Sequence, residues 1–375
     1  ASPERVEARC AAFGRCGGCA LQHVSIDQQR AIKFDTLRDN LERIGQVEPR
    51  RWLDAVTGPA WNYRRRARLA VKDVSAKGRV LVGFRERHAP FITDMHRCEV
   101  LAPPVDGLID PLSESIGRLS IRARIPQIEV AVADNATALV YRVLDPPGGD
   151  DLDEFRRFAD EHDVRIYLQT GGLDTVSLLH PDEEQEPLYY TLPEFDVRIE
   201  FEPVDFVQVN DEINQAMVAR ALELLEPEQQ HRVLDLFCGI GNFSLPLARH
   251  CGETLGVEGE ATLVRRAAAN AAGNGLSNAT FRQADLAAID GTEKWLQGPW
   301  DRVLLDPARS GAAEVVKHIG RMDPARIVYV SCHPGTLARD AGVLVNEAGY
   351  SLDAAGIIDM FPHTAHVESI AVFNK

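Results

Sequence analysis

The chain has 375 residues, of which 45% are apolar and 26% charged. That length allows two or three domains of ~150 residues, and the composition excludes wholesale disorder, a collagen-like repeat or a low-complexity scaffold. A net charge of −15 excludes a uniformly basic nucleic-acid binder, although residues 61–90 hold nine Lys/Arg against two acids, a local excess of +7 that suits phosphate. No apolar run reaches ~18–20 residues, so no membrane-spanning helix is expected. Ala1-Ser2-Pro3-Glu4-Arg5 lacks a signal-peptide core and does not begin with Met. These features predict a processed or trimmed chain in the cytoplasm.

Seven cysteines, an odd number, fit a reducing compartment better than a disulfide framework. Three are packed together as Cys10-x5-Cys16-Gly17-Gly18-Cys19. Thiolates this close suit a metal or iron–sulfur site rather than a chance grouping. Cys98 is the best fourth ligand. Four thiolates hold either zinc or a [4Fe–4S] cluster, and spacing leaves the two open.

Beyond the cysteines, Ser25 with Gln28 predicts a capping box. Phe34, Leu37, Leu41 and Ile44 predict a helix that Gly45 can end. From Tyr63 to about His180 the pattern is strand-rich. Val80–Val82 and Phe84 follow a Ser75–Gly78 turn, and Ile128, Val130 and Val132 alternate. Asp134-Asn135 then turns the chain towards Leu139, Tyr141 and Val143. Pro146–Gly149 is a break, Asp150–Asp163 an exposed acidic helix, Val164–Leu168 a strand and Asp182–Glu186 a polar loop.

From about Phe206 helix and strand alternate. Strands are expected at Val233–Phe237, Thr254–Glu258, Thr280–Gln283, Arg302–Leu305 and Arg326–Val330, with two more near Ile357 and Ile370–Phe373. An Ala-rich helix spans Ala261–Ala272. This order predicts a doubly wound parallel sheet with ligands at its carboxyl edge.

The first strand ends in Asp235-x-Phe237-x-Gly239-x-Gly241-Asn242. Two glycines allow a tight turn close to a ligand, while the missing third disfavours a pyrophosphate. Glu258 ends the next strand, where a carboxylate can accept both ribose hydroxyls. The combination resembles the S-adenosylmethionine site of class I methyltransferases. Cys238 reads as a small buried residue of the turn. Leu305-Asp306-Pro307-Ala308-Arg309 ends a strand where a methyl acceptor would lie. Ser331-Cys332-His333-Pro334 ends the following strand just before a helix, which predicts a lowered thiolate pKa and a nucleophile at Cys332. Glu368, after Asp359–Val367, can serve as a base.

Pyrimidine C5 is too weak a nucleophile to take a methyl group unaided. A thiolate added to C6 makes an enolate with charge at C5, which attacks the sulfonium methyl; a base then removes the C5 proton and the thiolate is expelled. Phe206–Asn210, Asp235–Phe243, Asp306–Arg309, Ser331-Cys332-x-Pro334 and Asp359–Glu368 closely resemble the RNA uracil-5-methyltransferase family. The cysteines and Tyr63-Arg64-Arg65-Arg66-Ala67-Arg68 resemble its iron–sulfur branch, which acts on 23S ribosomal RNA.

The resemblance implies Cys332 as nucleophile and Glu368 as proton acceptor. It places Gln208, Phe237, Asn242, Glu258, Asp285 and Asp306 around the cofactor and target uracil, and a [4Fe–4S] cluster on Cys10, Cys16, Cys19 and Cys98. Asp285 stands where Asn is also used. Members of this branch often carry an N-terminal β-barrel RNA-binding module, but only nine residues precede Cys10 here. The expectation is a chain lacking it, with more phosphate contact at Arg64, Arg65, Arg66 and Arg68.

The implied fold is a class I Rossmann-like S-adenosylmethionine methyltransferase domain (205–375) plus a strand-rich α+β central domain (56–204). An iron–sulfur segment (1–21) and a helical segment (22–55) precede them. The expected substrate is a single-stranded or flipped uridine of 23S ribosomal RNA, bound by a monomer with no membrane association. Alternatives are a transfer-RNA uracil-5-methyltransferase or a non-catalytic RNA-binding or redox-sensing protein on the same fold. An RNA cytosine-5 enzyme is disfavoured by Asp306–Arg309.

Overall fold

The structure is a computed structural model that describes residues 4–375; Ala1–Pro3, the start of the expected cluster segment, lie outside the described residues. The cysteine-bearing start has little regular structure and leads into α1 (Ile26–Asn40). Leu37 and the following Leu41 are fully buried, as their spacing requires. Three expected details differ. The Ser25 hydroxyl donates to Glu4 Oε2 (3.0 Å) instead of accepting from the first turn, so no capping box forms. Ile44 is exposed. Gly45 does not end the helix: α1 passes into a wider turn over Leu41–Gly45, and the left-handed residue is Gln46 (φ 52°). Gly45 is small for another reason, since a Cβ there would lie 2.5 Å from the Ala338 carbonyl oxygen.

The strand-rich part contains β1 (Arg51–Trp52), β2 (Arg66–Val74), β3 (Arg79–Gly83), β4 (Gln127–Val132), β5 (Thr137–Arg142), β6 (Val164–Gln169) and β7 (Val176–His180). Helix α2 (Ile109–Arg118) follows β3, and α3 (Gly149–His162) joins β5 to β6. Strands β2–β7 form one sheet in the order β3-β2-β4-β5-β6-β7. Only β5 and β6 pair in parallel, and a parallel pair needs a crossover, which α3 supplies. That role corrects the expectation of a simply exposed acidic helix. Phe155, Phe158 and Ala159 are buried, with Phe155 edge-on to Tyr141 at 4.9 Å between ring centroids.

A hairpin, β8 (Leu188–Leu192) and β9 (Val197–Phe201), precedes the second half. There α4 (Asp211–Leu225), β10 (Arg232–Leu236), α5 (Ser244–His250), β11 (Glu253–Glu258), α6 (Ala261–Gly273), β12 (Ala279–Gln283) and β13 (Arg302–Leu305) follow in turn. The chain closes with α7 (Ala313–Lys317), α8 (Ile319–Met322), β14 (Arg326–Ser331), α9 (Pro334–Asn346), β15 (Ser351–Ile358) and β16 (Glu368–Asn374). Asn270 of α6 and Asn274, which caps its C-terminus, hydrogen-bond the backbone of Glu200 and Arg198, which fastens the hairpin to this half.

The large sheet has the order β1-β15-β16-β14-β13-β10-β11-β12. Val233, Leu234, Val303, Leu304, Ile327 and Val328 have no exposed surface, as strands covered by helices on both faces require. The sheet is the expected Rossmann-like one with a single exception: β16 runs antiparallel to both β14 and β15. Because of that reversal, the start of β16 lies beside the end of β14. Ser331 pairs with Ser369 and Ile358 with Glu368. The ends of β13 and β14 and the beginning of β16 therefore share the carboxyl edge, where α/β sheets bind their ligands.

Candidate active site

After Leu236 the chain turns sharply into α5. Phe237 has φ 66°, a costly value for a residue with a side chain, and Gly241 has φ 100°. A Cβ on Gly241 would also press on Leu245 at 3.0 Å. The Phe237 and Cys238 N–H groups both donate to the Val257 carbonyl (2.9 and 3.2 Å), tying this turn to β11. Cys238 is buried, as expected for a small turn residue, and burial holds its thiol well above the usual range.

Glu258 faces the same turn. Its Oε2 accepts from Gly239 N (3.1 Å), and its Oε1 from Gly259 N (2.6 Å) and Glu260 N (3.2 Å). A carboxylate pinned by backbone donors beside a glycine turn suits a ribose diol. Beneath it, Asp235 takes a 2.5 Å hydrogen bond from Ser244, and burial pushes its carboxyl up to about 7. Asp285 is exposed beyond β12 and accepts from Ala287 N at 3.0 Å. Asn242 is engaged internally: it exchanges hydrogen bonds with Asn214 in both directions (2.9 and 3.0 Å) and accepts from Tyr190 (2.9 Å). No motif pointed to Asn214 or Tyr190, which fix the turn from α4 and β8. Gln208 is half-buried and lines a crevice with Tyr190, Asp211 and Asn214.

Asp306, Cys332 and Glu368 stand at the ends of the neighbouring strands β13, β14 and β16. Burial and the nearby Glu368 hold the Asp306 carboxyl well above the usual range. Burial pushes Glu368 up to about 7. Its Oε2 is buried with no hydrogen-bond partner. A carboxyl poised near neutrality suits proton transfer. Cys332 departs from expectation: its thiol is raised, not lowered. Burial is the main cause, and Glu368 and Asp306 add to it, opposed by Arg309 and by the Cys332 backbone N–H. At the α9 N-terminus, the His333 side chain already accepts from Thr336 N (3.2 Å), and Pro334 has no N–H to offer. The helix-dipole argument therefore loses to desolvation and like charge. Arg309 also donates to His366 Nδ1 (2.8 Å), joining the Asp306–Arg309 turn to the loop before Glu368.

The other cysteines gather at a second place. Cys10, Cys16, Cys19 and Cys98 line one cavity of about 410 Å³, with Arg64 and His366 on its wall. All four are free thiols. Burial pushes Cys19 up to about 11 and Cys98 up to about 12. Arg64 Nε is buried there without a hydrogen-bond partner. The rest of the arginine run has internal partners. Arg65 pairs with Asp134 (2.6 Å) and Asp211 (3.3 Å), Arg68 with Glu129 (2.8 Å), and Arg66 donates to the Pro203 carbonyl.

The family profile described as tRNA (uracil-5-)-methyltransferase matches residues 184–375. The chain is 50% identical over 375 residues to the 23S rRNA (uracil(1939)-C(5))-methyltransferase RlmD of Methylococcus capsulatus, spanning all of this chain and 84% of that protein. The RlmD of Thiobacillus denitrificans is 52% identical over 375 residues, across all of this chain and 87% of its own. The crystal structure of the Pyrococcus abyssi tRNA (uracil-54, C5)-methyltransferase in complex with S-adenosyl-L-homocysteine is similar with a TM-score of 0.75 and 26% identity. That likeness covers the whole chain and 87% of the other. Its fold, its paired glycine turn and acid, and its relatives over the full length agree: the chain belongs to the RNA uracil-5-methyltransferase family.

Proposed function

We infer that this protein methylates C5 of a uridine in 23S ribosomal RNA, with S-adenosylmethionine as methyl donor. The observation that carries the reading is the convergence of Cys332, Glu368 and Asp306 at adjacent strand ends of one sheet, on the edge that also carries the Glu258 turn. Two relatives that match the whole of this chain at 50% and 52% identity, both named for uracil 1939 of 23S ribosomal RNA, support the substrate.

S-adenosylmethionine supplies a methyl group made electrophilic by its sulfonium. Glu258 and the Phe237–Asn242 turn would hold the nucleoside part, with Asp285 beside the base and Gln208 and Asp306 completing the cofactor site. The Cys332 thiol gives its proton to solvent, and the thiolate bonds to C6, which shifts the C5–C6 π pair and places charge on C5. Arg309, the one neighbour that favours the thiolate, assists. Once C5 carries both methyl and hydrogen, Glu368 takes the proton, the C6–sulfur bond breaks and the double bond returns. Because Cys332 and Glu368 both act deprotonated and both titrate high, turnover should rise with pH through neutrality.

The cysteine cavity fits a [4Fe–4S] cluster. Four thiols on one cavity wall are the donor set such a cluster takes. The orphaned Arg64 Nε gives an anionic cluster a hydrogen-bond donor. Its role would be to fasten the N-terminal segment, which already hydrogen-bonds the segment after β3: Gly17 N to Arg85 O (2.8 Å) and Arg87 N to Arg15 O (2.9 Å). Cys98→Ala is expected to lose the iron chromophore and melt several degrees lower while keeping S-adenosylmethionine affinity within about twofold; iron analysis, thermal melts and calorimetry check this.

The division 1–21, 22–55, 56–204 and 205–375 is retained as the proposed domain organisation, in a monomer acting in the bacterial cytoplasm. Among the described residues no helix is long and apolar enough to cross a membrane. Arg64, Arg65, Arg66 and Arg68 remain the proposed RNA contacts, and Arg68 is the exposed member of the run. The functional test is methyl transfer from labelled S-adenosylmethionine to unmodified 23S, 16S and transfer RNA, followed by nucleoside digestion. 5-Methyluridine in 23S RNA alone is expected; product in transfer RNA alone would replace the substrate and keep the chemistry.

A further inference from the structure

We propose that the buried face of α1, through Lys33 and Gln29, is a positioning device that sets the loop 359–367 and thereby the carboxylate of Glu368. The inference rests on the reading of Glu368 as the base and extends it to residues that no catalytic motif includes.

Lys33 and Asp359 are each 1% exposed in their side chains, and Lys33 Nζ donates to Asp359 Oδ1 at 2.7 Å. The same ammonium donates to the Phe361 carbonyl at 2.9 Å. Arg30, one turn earlier, donates to Asp359 Oδ2 at 3.2 Å. Gln29 holds His363 from both sides: its Oε1 accepts from His363 N (2.8 Å), and its Nε2 meets His363 Nδ1 (3.2 Å). His363 is itself in the left-handed region, with φ 65°. The cysteine segment completes the grip, because Ala20 N and Leu21 N both donate to the His363 carbonyl (2.8 and 2.9 Å). Tyr63 donates to the Pro362 carbonyl at 3.0 Å.

This loop is closed by the Ile358–Glu368 pair, so its course decides where Glu368 enters the site. Stability alone does not account for a buried lysine–carboxylate pair, since well-packed apolar replacements are often as stable or more so. A positional role does account for it, because the pair fixes one register of loop against helix. The charge has a second consequence. The groups whose charge couples to Glu368 are Asp306 from the end of β13, Cys332 from the end of β14 and Lys33 from α1. Lys33 alone favours the carboxylate; the other two are acids.

The test uses the cluster-loaded full chain and 23S RNA. Lys33→Met is expected to lower kcat roughly 10- to 100-fold at pH 7 and to move the acid limb of the pH–rate profile up by roughly one unit. S-adenosylmethionine affinity should stay within about twofold of the parent. Lys33→Met/Asp359→Leu guards against misfolding: it should melt no lower than the parent yet keep the slow turnover and the shifted limb. A folded double variant with parental kcat and parental pH profile would overturn the proposal. Glu368→Gln, assayed alongside, separates the two failures. If that variant accumulates no RNA–protein adduct, the base assignment fails; if it does accumulate one while the Lys33 variants behave as the parent, only the positioning role fails.

Discussion

Cys332→Ala is expected to abolish 5-methyluridine formation, a loss on the order of 10⁴-fold or more, with S-adenosylmethionine binding nearly unchanged. The asymmetry follows from the architecture. Cys332 follows the end of β14, whereas the proposed nucleoside pocket lies at the ends of β10 and β11. Removing the thiol leaves that pocket whole and removes the only group that can make C5 nucleophilic. Cys332→Ser should be nearly as poor, since a serine hydroxyl ionises far less readily than a thiol that is already held high. Isothermal calorimetry with the methyl donor and nucleoside analysis of the RNA separate the two effects. Loss of cofactor binding in Cys332→Ala would mean that the pocket has been misplaced.

Glu368→Gln is expected to stop the reaction later. Addition to C6 and methyl transfer proceed, but the C5 proton has no acceptor, so methylated RNA stays bonded to Cys332. Turnover should fall by roughly 10²- to 10⁴-fold, while a covalent RNA–protein band accumulates on a denaturing gel. The same change should alter stability in a pH-dependent way. Burial raises Glu368 from 4.5 to about 7 in the folded state. A raised carboxyl binds its proton more tightly when folded, so its contribution is complete below about 4.5 and is lost as pH climbs through about 7. Glutamine mimics the protonated form. The variant should therefore melt higher than the parent at pH 8 and show no such gain at pH 4.5.

The pieces of the site legible in the sequence are those where chemistry and strand end coincide. Asp235–Asn242, Glu258, Asp306 and Ser331–Pro334 each close a strand, and alternation placed those strands within a residue or two of where they lie. Interactions across long sequence separations were not legible. The acids that raise Cys332 arrive from β13 and β16, so a rule about the local helix terminus pointed the wrong way. Glu129, Asp134 and Asp211 reach the arginine run from β4, a turn and α4, so Arg65 and Arg68, expected as phosphate contacts, have partners within the fold, although Arg68 stays exposed. Lys33 lies 326 residues from Asp359. On a polar helix such a lysine looks like surface until the loop that buries it is in place. The Ser25 capping box failed for the same reason, with Glu4 a competing partner from outside the helix.

The most direct test of the central claim is a reaction with 23S RNA containing 5-fluorouridine. Fluorine at C5 cannot leave as a proton, so a protein that works through C6 addition and base-assisted release must stop one step short. The account predicts a stable RNA–protein adduct formed only with S-adenosylmethionine present, in which peptide mass spectrometry finds the Cys332 peptide carrying a methylated fluorouracil. No adduct, or an adduct on another cysteine, would contradict it.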